Sequence, residues 1–345
     1  MIIQSLESKG IAQPPKWLAD NTAYVTIMGS LAYGVSNDAS DEDIYGFCLP
    51  PKDLVFPWTA GEIPGFGRQV QKFDVWQQHH CKDGDKTYDF SIYSIVKYFQ
   101  LCMENNPNMI DSLFTPTRCV KHSTEIGRMV RDRRRMFLHK GAWHKFKGYA
   151  YQQVHKIDSK RQSVPEVDAL LDHCAQQGIE PRMVFEIAGE INTTGPVLPT
   201  PAEFTLLRLV EAVQKKGKRY VDIARYGFDV KFAYHVVRLL SEVEMIMEEG
   251  DLDLERNREQ LKSIRRGDWS KADIVDYFEK KEKELESLYV RSSLPHSPDE
   301  KAIKALLMDC LEHHYGSISV AVAREAAPDA MLRELQNLID RYKGG

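Results

Sequence analysis

The sequence lacks the marks of several common protein classes. Its six cysteines form no Cys-x-x-Cys pair, which argues against a redox motif or a zinc finger. No stretch approaches the roughly eighteen consecutive apolar residues of a membrane-spanning helix. The opening residues, MIIQSLESKG, have no apolar signal-peptide core, so a reducing cytoplasm is the expected location. A Gly-x-x-x-x-Gly-Lys-Ser/Thr phosphate loop is also missing, which excludes the P-loop enzymes.

What is present describes an ordinary globular chain. Of its 345 residues, 43% are hydrophobic and 28% are charged. This composition and length predict a large buried core and about two domains. The formal net charge is -4, from 46 basic and 50 acidic residues. Total charge therefore neither favours nor excludes a nucleic-acid ligand.

Hydrophobic patterning divides the chain into two parts. Residues 23–28 and 44–49 are short apolar runs typical of buried strands, and residues 87–94 alternate apolar and polar side chains as a half-buried strand does. Beyond residue 120 the apolar spacing becomes helical and the strand signal almost disappears. We therefore predict an α+β protein, with a mixed α/β domain at 1–120 and a helical domain at 121–345.

A glycine-serine pair and two aspartates follow the first predicted strand. Gly29 permits a close backbone approach, and Ser30 offers a hydroxyl where the amides of a following helical turn attract phosphate. Asp41 and Asp43 are two residues apart on an extended segment, so their carboxylates share a face. Their repulsion favours a divalent cation such as Mg²⁺, bound together with phosphate oxygens. An isolated Asp-x-Asp pair is more typical of a solvated turn. The choice between a metal site and a solvated turn therefore depends on the other motifs of the chain.

That wider pattern resembles a known family. The matching residues are Gly29-Ser30, Tyr33-Gly34, the run SDEDIYG at 40–46, Lys97, and the segments 106–114, 148–153, 227–240 and 264–269. In this order they resemble the signature of the DNA polymerase β-like nucleotidyltransferase superfamily. Within it, the chain is similar to the family that includes RNA-ligase-associated adenylyltransferases. The likeness extends from about residue 23 to about residue 310, and several motifs in one order are more specific than any one of them.

The resemblance implies a metal-dependent catalytic core. In such a core Ser30 contacts the triphosphate, while Asp41 and Asp43 hold two divalent ions, Mg²⁺ or Mn²⁺. A third acidic residue, on a neighbouring strand, completes the metal site and helps to deprotonate the acceptor hydroxyl.

Asp89 is our assignment for the third acidic residue. It lies on the third predicted strand, where its side chain points away from the face of Tyr88 and Phe90. Asp74 is the rival, and Asp85 is a more distant alternative. A solvated carboxylate on a strand face is the competing interpretation of Asp89.

Four cationic or imidazole side chains are candidates for nucleotide binding beside Gly29 and Ser30. Lys231, His235 and Arg238 recur at i, i+4 and i+7 on one face of a predicted helix, and Lys97 follows the third strand. Such a stripe most often faces water. Because the helix at 227–240 resembles one that closes over the nucleotide, we expect phosphate contacts.

Basic residues are concentrated between residues 121 and 161. This segment holds twelve lysines and arginines against three acidic residues. Arg128, Arg131 and Arg135 share one helical face. The segment predicts either a surface for RNA or triphosphate, or a solvated face paired with acidic helices downstream.

The expected activity is transfer of AMP from ATP to a hydroxyl acceptor. An RNA end or a tRNA is the first choice of acceptor, since the family is associated with RNA ligation. Adenylylation of a protein partner and a non-catalytic module that binds nucleotide or RNA are the alternatives. Residues 162–226 match no part of the resemblance and are expected to be an insertion that shapes the acceptor site.

Overall fold

The computed structural model describes residues 1–36, 41–63, 65–67, 69, 72–157, 164–193, 200–317, 319, 335 and 339. Five strands lie in these ranges: β1 (Thr22–Ile27), β2 (Glu42–Cys48), β3 (Val75–Asp83), β4 (Lys86–Ser94) and β5 (Val120–Ser123). Many helices follow the sheet, so the predicted α+β class is confirmed. No helix of the described residues is both long and apolar enough to cross a membrane.

The α-helices of the described residues are mostly downstream of the sheet. Those before residue 160 are α1 (Ile2–Ser8), α2 (Lys52–Val55), α3 (Ile95–Met103), α4 (Pro107–Phe114), α5 (Glu125–Asp132) and α6 (Gly141–Lys156). Those after it are α7 (Pro165–Gln177), α8 (Val184–Thr193), α9 (Pro201–Gln214), α10 (Lys218–Tyr226), α11 (Val230–Glu249), α12 (Arg258–Arg265), α13 (Lys271–Arg291) and α14 (Glu300–Tyr315).

The five strands form one mixed sheet in the order β3-β4-β2-β1-β5. β2 and β4 are parallel, and the other neighbouring strands are antiparallel. Gly46 of β2 allows the close approach of β1, because a Cβ at this position would overlap the Tyr24 carbonyl oxygen. The three strands predicted from the sequence correspond to β1, β2 and β4, so these predictions are confirmed.

Helix α11 lies at the centre of the helical region. Asp229 begins it by accepting the amide N–H groups of Lys231 and Phe232, and Gly250 ends it in the left-handed conformation. The helix packs against α6 and α13. Its buried positions include charged residues, among them Arg238 and Glu242, so α11 brings charge into the protein interior.

Two hydrophobic cores occupy different parts of the chain. The first joins side chains of the sheet, such as Phe47 and Phe90, to side chains of α11, such as Val236 and Leu240. The second is formed by residues between 164 and 224 alone. The domain boundary predicted at residue 120 therefore falls inside the first core, while the stretch 164–224 has a core of its own.

Candidate active site

Two aspartates face each other across neighbouring strands. Asp43 of β2 is the register partner of Asp89 of β4 in the parallel pairing. Neighbouring strands lie about 4.8 Å apart, and residues in register project to the same side of a sheet. Asp41 lies two residues before Asp43, immediately ahead of β2, and is exposed. The structure therefore brings the predicted carboxylates to one end of the two parallel strands. Ser40, which begins the motif run, lies outside the described residues.

The carboxylates repel one another electrostatically. Burial raises the pKa of the Asp43 carboxyl, and the negative charges of Asp89 and Asp41 raise it further. The positive charge of Lys231, from helix α11, acts in the opposite direction and lowers the same pKa. A site that holds several carboxylates at this cost is suited to a cation.

The glycine-serine turn lies directly over Asp43. Residues Gly29–Leu31 form a 3₁₀ turn after β1, and the Met28 amide donates to the Asp43 carbonyl oxygen at 2.7 Å. Gly29 has a φ of 68°, and a Cβ at this position would overlap the Asp43 carboxylate. Only glycine fits between the turn and the carboxylate without strain. The close approach places Ser30, which is half-buried, next to the carboxylates.

Two histidines that the sequence did not single out flank Asp89. The His80 amide donates to Asp89 Oδ1 at 2.6 Å, and the His79 and His80 Nδ1 atoms lie 3.7 and 4.0 Å from the same oxygen. A bulge between Gln78 and Cys81 of β3 turns both imidazoles towards Asp89, with His80 at a φ of 57°. No sequence signal marks such a bulge, because it depends on the pairing of β3 with β4.

The two alternatives to Asp89 lie elsewhere. The Asp74 carbonyl oxygen accepts the Ser94 amide at 2.8 Å, which places Asp74 beside the far end of β4. Its carboxylate forms an ion pair with Lys72 at 3.3 Å. Asp85 lies in the turn between β3 and β4, four residues ahead of Asp89. The register therefore favours Asp89 over both.

Lys97 is not brought to the carboxylates. It lies in α3, just after the end of β4, and its ammonium donates to Gln100 at 3.3 Å. The five residues from Asp89 to Ser94 span about 16 Å of strand. The nucleotide-binding role predicted for Lys97 therefore stays a prediction.

Lys231 and His235 lie about one helical turn apart on α11. Lys231 is exposed, and its charge acts on Asp43. His235 is half-buried by surface area, and burial lowers its pKa well below the usual value. Four neighbouring cations lower it further, in decreasing order Arg238, Lys231, Arg219 and Arg265. This positive surround suits an anionic ligand.

Arg238 occupies a different environment from the other two members of the stripe. Its side chain is only 6% exposed, and its guanidinium forms ion pairs with Asp111 and Glu242. It also donates to the hydroxyl of Tyr33. The Arg238 Nη1 atom is thus used by partners inside the protein, and the phosphate contact predicted for Arg238 stays a prediction.

The basic segment at 121–161 is largely paired within the protein. Arg128 pairs with Glu125 at 2.5 Å, and Arg135 pairs with Asp251. Arg131 donates to the hydroxyl of Tyr24 at 2.7 Å. Lys160 and Arg161 lie outside the described residues. The predicted arginine face therefore has partners within the protein, but only Arg135 has an acidic partner downstream, so the alternative of pairing with acidic helices downstream is not confirmed.

No cluster of three or more His, Cys, Asp or Glu side chains is arranged to hold a metal ion in the part of the chain that the structure describes. The Asp43 and Asp89 pair nevertheless fits Mg²⁺, which is usually bound through one or two carboxylates together with substrate phosphates and water. The protein would supply only part of the coordination shell, and a triphosphate would supply more of it.

Comparison with known families agrees with this geometry. The family model RlaP, described as RNA repair pathway DNA polymerase beta family, matches residues 19–309. This range contains the glycine-serine turn, the three aspartates and helix α11. No curated protein matches the chain.

Proposed function

Because the chain belongs to the RNA repair pathway DNA polymerase beta family, we propose that it transfers AMP from ATP to a hydroxyl at an RNA end. A nucleotidyltransferase role in RNA repair follows from the family. The donor, the metal ion, the acceptor and the residues that act on them are our proposal.

A single observation carries the proposal. Asp43 and Asp89 are in register on parallel strands, and the Gly29-Ser30 turn lies against Asp43. Carboxylates beside backbone amides and a serine hydroxyl are the groups that a metal-bound triphosphate requires. Divalent ions held by Asp41, Asp43 and Asp89 would polarise the acceptor hydroxyl and neutralise charge on the pyrophosphate.

The nucleotide is held between the turn and helix α11. Gly29 lets the chain approach the phosphates, and Ser30 donates its hydroxyl to them. Lys231 supplies positive charge from the opposite side of the nucleotide. Its ammonium already lies near enough to Asp43 to lower the pKa of that carboxyl. His235, whose pKa is lowered by burial and then by the neighbouring cations, can donate an imidazole N–H without adding charge. The helical region thereby closes over the cleft.

Transfer takes place by in-line displacement. The acceptor oxygen attacks the α-phosphorus while the bond to the pyrophosphate oxygen breaks. The acceptor proton passes to the carboxylate of Asp89, which His79 and His80 flank. The pyrophosphate leaves on the side of Ser30 and Lys231. The protein accelerates this step through orientation and electrostatic stabilisation rather than through a covalent intermediate.

The test compares two aspartates of the same chain. The purified protein is incubated with ATP labelled at the α-phosphate, Mg²⁺ and RNA oligonucleotides with defined ends, and label in RNA is measured. Asp43→Asn should reduce transfer by at least about a thousandfold, because it removes a carboxylate from the reacting centre. Asp74→Asn, at the far end of β4, is the matched control and should retain wild-type transfer.

Other outcomes separate the alternatives. Equal loss of nucleotide transfer in Asp43→Asn and Asp74→Asn would contradict the assignment of Asp43. Label incorporated into added protein instead of RNA would replace the RNA acceptor with a protein acceptor. ATP binding without any transfer would leave a non-catalytic binding module.

A further inference from the structure

Four side chains form a buried polar cluster beside the site, which we call the Tyr33 cluster: Tyr33, Asp111, Arg238 and Glu242. The Tyr33 hydroxyl donates to Asp111 Oδ2 at 2.7 Å. Arg238 Nη1 donates to the same oxygen at 2.5 Å and to Glu242 Oε1 at 3.1 Å. All four side chains are at most 6% exposed. The cluster is therefore sealed from water.

The Tyr33 cluster joins three separate elements. Tyr33 follows the glycine-serine turn, Asp111 lies on α4, and Arg238 and Glu242 lie on α11. The Arg238 guanidinium also stacks over the Tyr33 ring, 4.4 Å from its centroid. The polar connection between Tyr33 and α11 thus runs through the Arg238 guanidinium.

Tyr33 is tightly coupled to the turn through the backbone. Its amide donates to the Gly29 carbonyl oxygen at 3.3 Å, and the Val35 amide donates to the Ser30 carbonyl oxygen at 2.9 Å. Arg265 of α12 donates to the Val35 carbonyl oxygen at 2.7 Å. A displacement of the Tyr33 ring would therefore displace Gly29 and Ser30 as well.

The charges of the Tyr33 cluster show that it is not optimised for stability alone. One guanidinium faces two carboxyl groups in a buried site, and burial raises the pKa of both carboxyls. A buried ion pair of this kind is often no more stabilising than apolar side chains of similar volume. Its benefit is orientation, because charged hydrogen bonds fix the geometry of the groups that they join.

We propose that Arg238 is a positioning residue, which holds Tyr33 and thereby sets the Gly29-Ser30 turn for the triphosphate, and that it does not contact the nucleotide. This inference rests on the proposed function. It assigns Arg238, the member of the cationic stripe that belongs to the Tyr33 cluster, to positioning the protein's own turn, and it leaves Lys231 and His235 as the phosphate-facing members.

The test removes one hydroxyl and compares it with a matched one. Tyr33→Phe keeps the ring and deletes the hydrogen bonds to Asp111 and Arg238. Tyr234→Phe is the control, since the Tyr234 hydroxyl is buried without a hydrogen-bond partner and its ring packs 6.4 Å from that of Tyr33. The first readout is hydrogen exchange of peptides that cover residues 29–36, which does not depend on activity.

We expect faster exchange at 29–36 in Tyr33→Phe, by about tenfold, and no change in Tyr234→Phe. Equal exchange in wild type and Tyr33→Phe would overturn the positioning role. If exchange rises as expected but the wild type neither binds ATP nor transfers label, the proposed function fails and the positioning of the turn is retained.

The second readout is the dissociation constant for ATP with Mg²⁺, measured by calorimetry. Tyr33→Phe should weaken ATP binding about fivefold. In a Ser30→Ala background the same change should weaken ATP binding less than twofold, because the serine contact with the triphosphate that Tyr33 positions is already missing. A purely structural role would lower the unfolding midpoint without changing the affinity of the folded protein. Arg238→Lys should add little to Tyr33→Phe if both act through the turn. If Arg238→Lys lowers the affinity for ATP by the same factor with and without Tyr33→Phe, Arg238 contacts the phosphates directly and the inference is overturned.

Discussion

Replacing Glu242 by glutamine should remove a pH-dependent cost of folding. Glu242 is buried and shares the Arg238 guanidinium with Asp111. Two carboxylates beside one buried cation do not both stay ionised. Asp111 accepts from both Tyr33 and Arg238, whereas Glu242 accepts only from Arg238, and each of the two carboxyls has one buried oxygen without a hydrogen-bond partner. We therefore place the proton on Glu242, whose pKa burial raises well above the usual value.

The sign and the size of the effect follow from proton counting. Above about pH 5 the unfolded chain has released the Glu242 proton and the folded protein still holds it. The contribution of Glu242 to the stability of the wild type is therefore greatest at low pH and falls as the pH rises towards the raised pKa. One proton changes the free energy of unfolding by about 1.4 kcal/mol per pH unit. Glutamine has the same shape and no proton to release, so this slope is absent in the variant.

Urea unfolding at several pH values measures the difference. The stability of Glu242→Gln relative to wild type should rise with pH, by up to about 1.4 kcal/mol per pH unit for as long as the folded wild type holds the proton. Glu248→Gln, an exposed glutamate of the same helix, controls for the loss of one acidic side chain. Parallel stability curves for wild type and Glu242→Gln would refute the reasoning, because they would show that Glu242 is ionised in the folded protein.

Two further predictions concern the turn and the basic segment. Gly29→Ala should destabilise the protein by about 1–2 kcal/mol from its positive φ alone. It should also abolish nucleotide transfer, because the new methyl group displaces Asp43. Wild-type transfer by a folded Gly29→Ala variant would contradict the geometry of the turn. Arg131→Ala should cost about 1–3 kcal/mol of stability through its lost hydrogen bond to Tyr24, whereas Arg128→Ala, which breaks an exposed ion pair, should cost less than Arg131→Ala. Thermal unfolding measures both, and equal costs would contradict the assignment of Arg131 as an interior partner.

The sequence predicted the strands whose patterns are local and apolar. It did not predict β3, whose sequence VWQQHHCKD is mostly polar, or the four-residue β5. Strand β3 pairs with β4 and β5 pairs with β1, and these pairings, rather than residue propensity, determine both strands. The Asp43 and Asp89 register could not be read from the sequence either, because parallel strands are joined by long connections that carry no register information.

The cationic stripe on α11 illustrates where helical periodicity is insufficient. The spacing correctly placed Lys231, His235 and Arg238 on one helix. Spacing alone does not show which turn of a helix is buried by other elements. Arg238 is buried against Asp111, which lies 127 residues earlier in the chain. The position of Lys97 was likewise not readable from local spacing, because its distance from Asp89 depends on the direction in which β4 runs.

The outer position of β3 has a consequence for how the protein meets other chains. In the described part of the sheet β3 is an outermost strand, and such strands can recruit a strand from another molecule. The bulge at His79 and His80 interrupts the regular backbone pattern there, and exposed polar side chains line the strand. Both features discourage intermolecular sheet extension. The same irregularity that brings two imidazoles to Asp89 thus also protects the protein against aggregation next to its reactive groups.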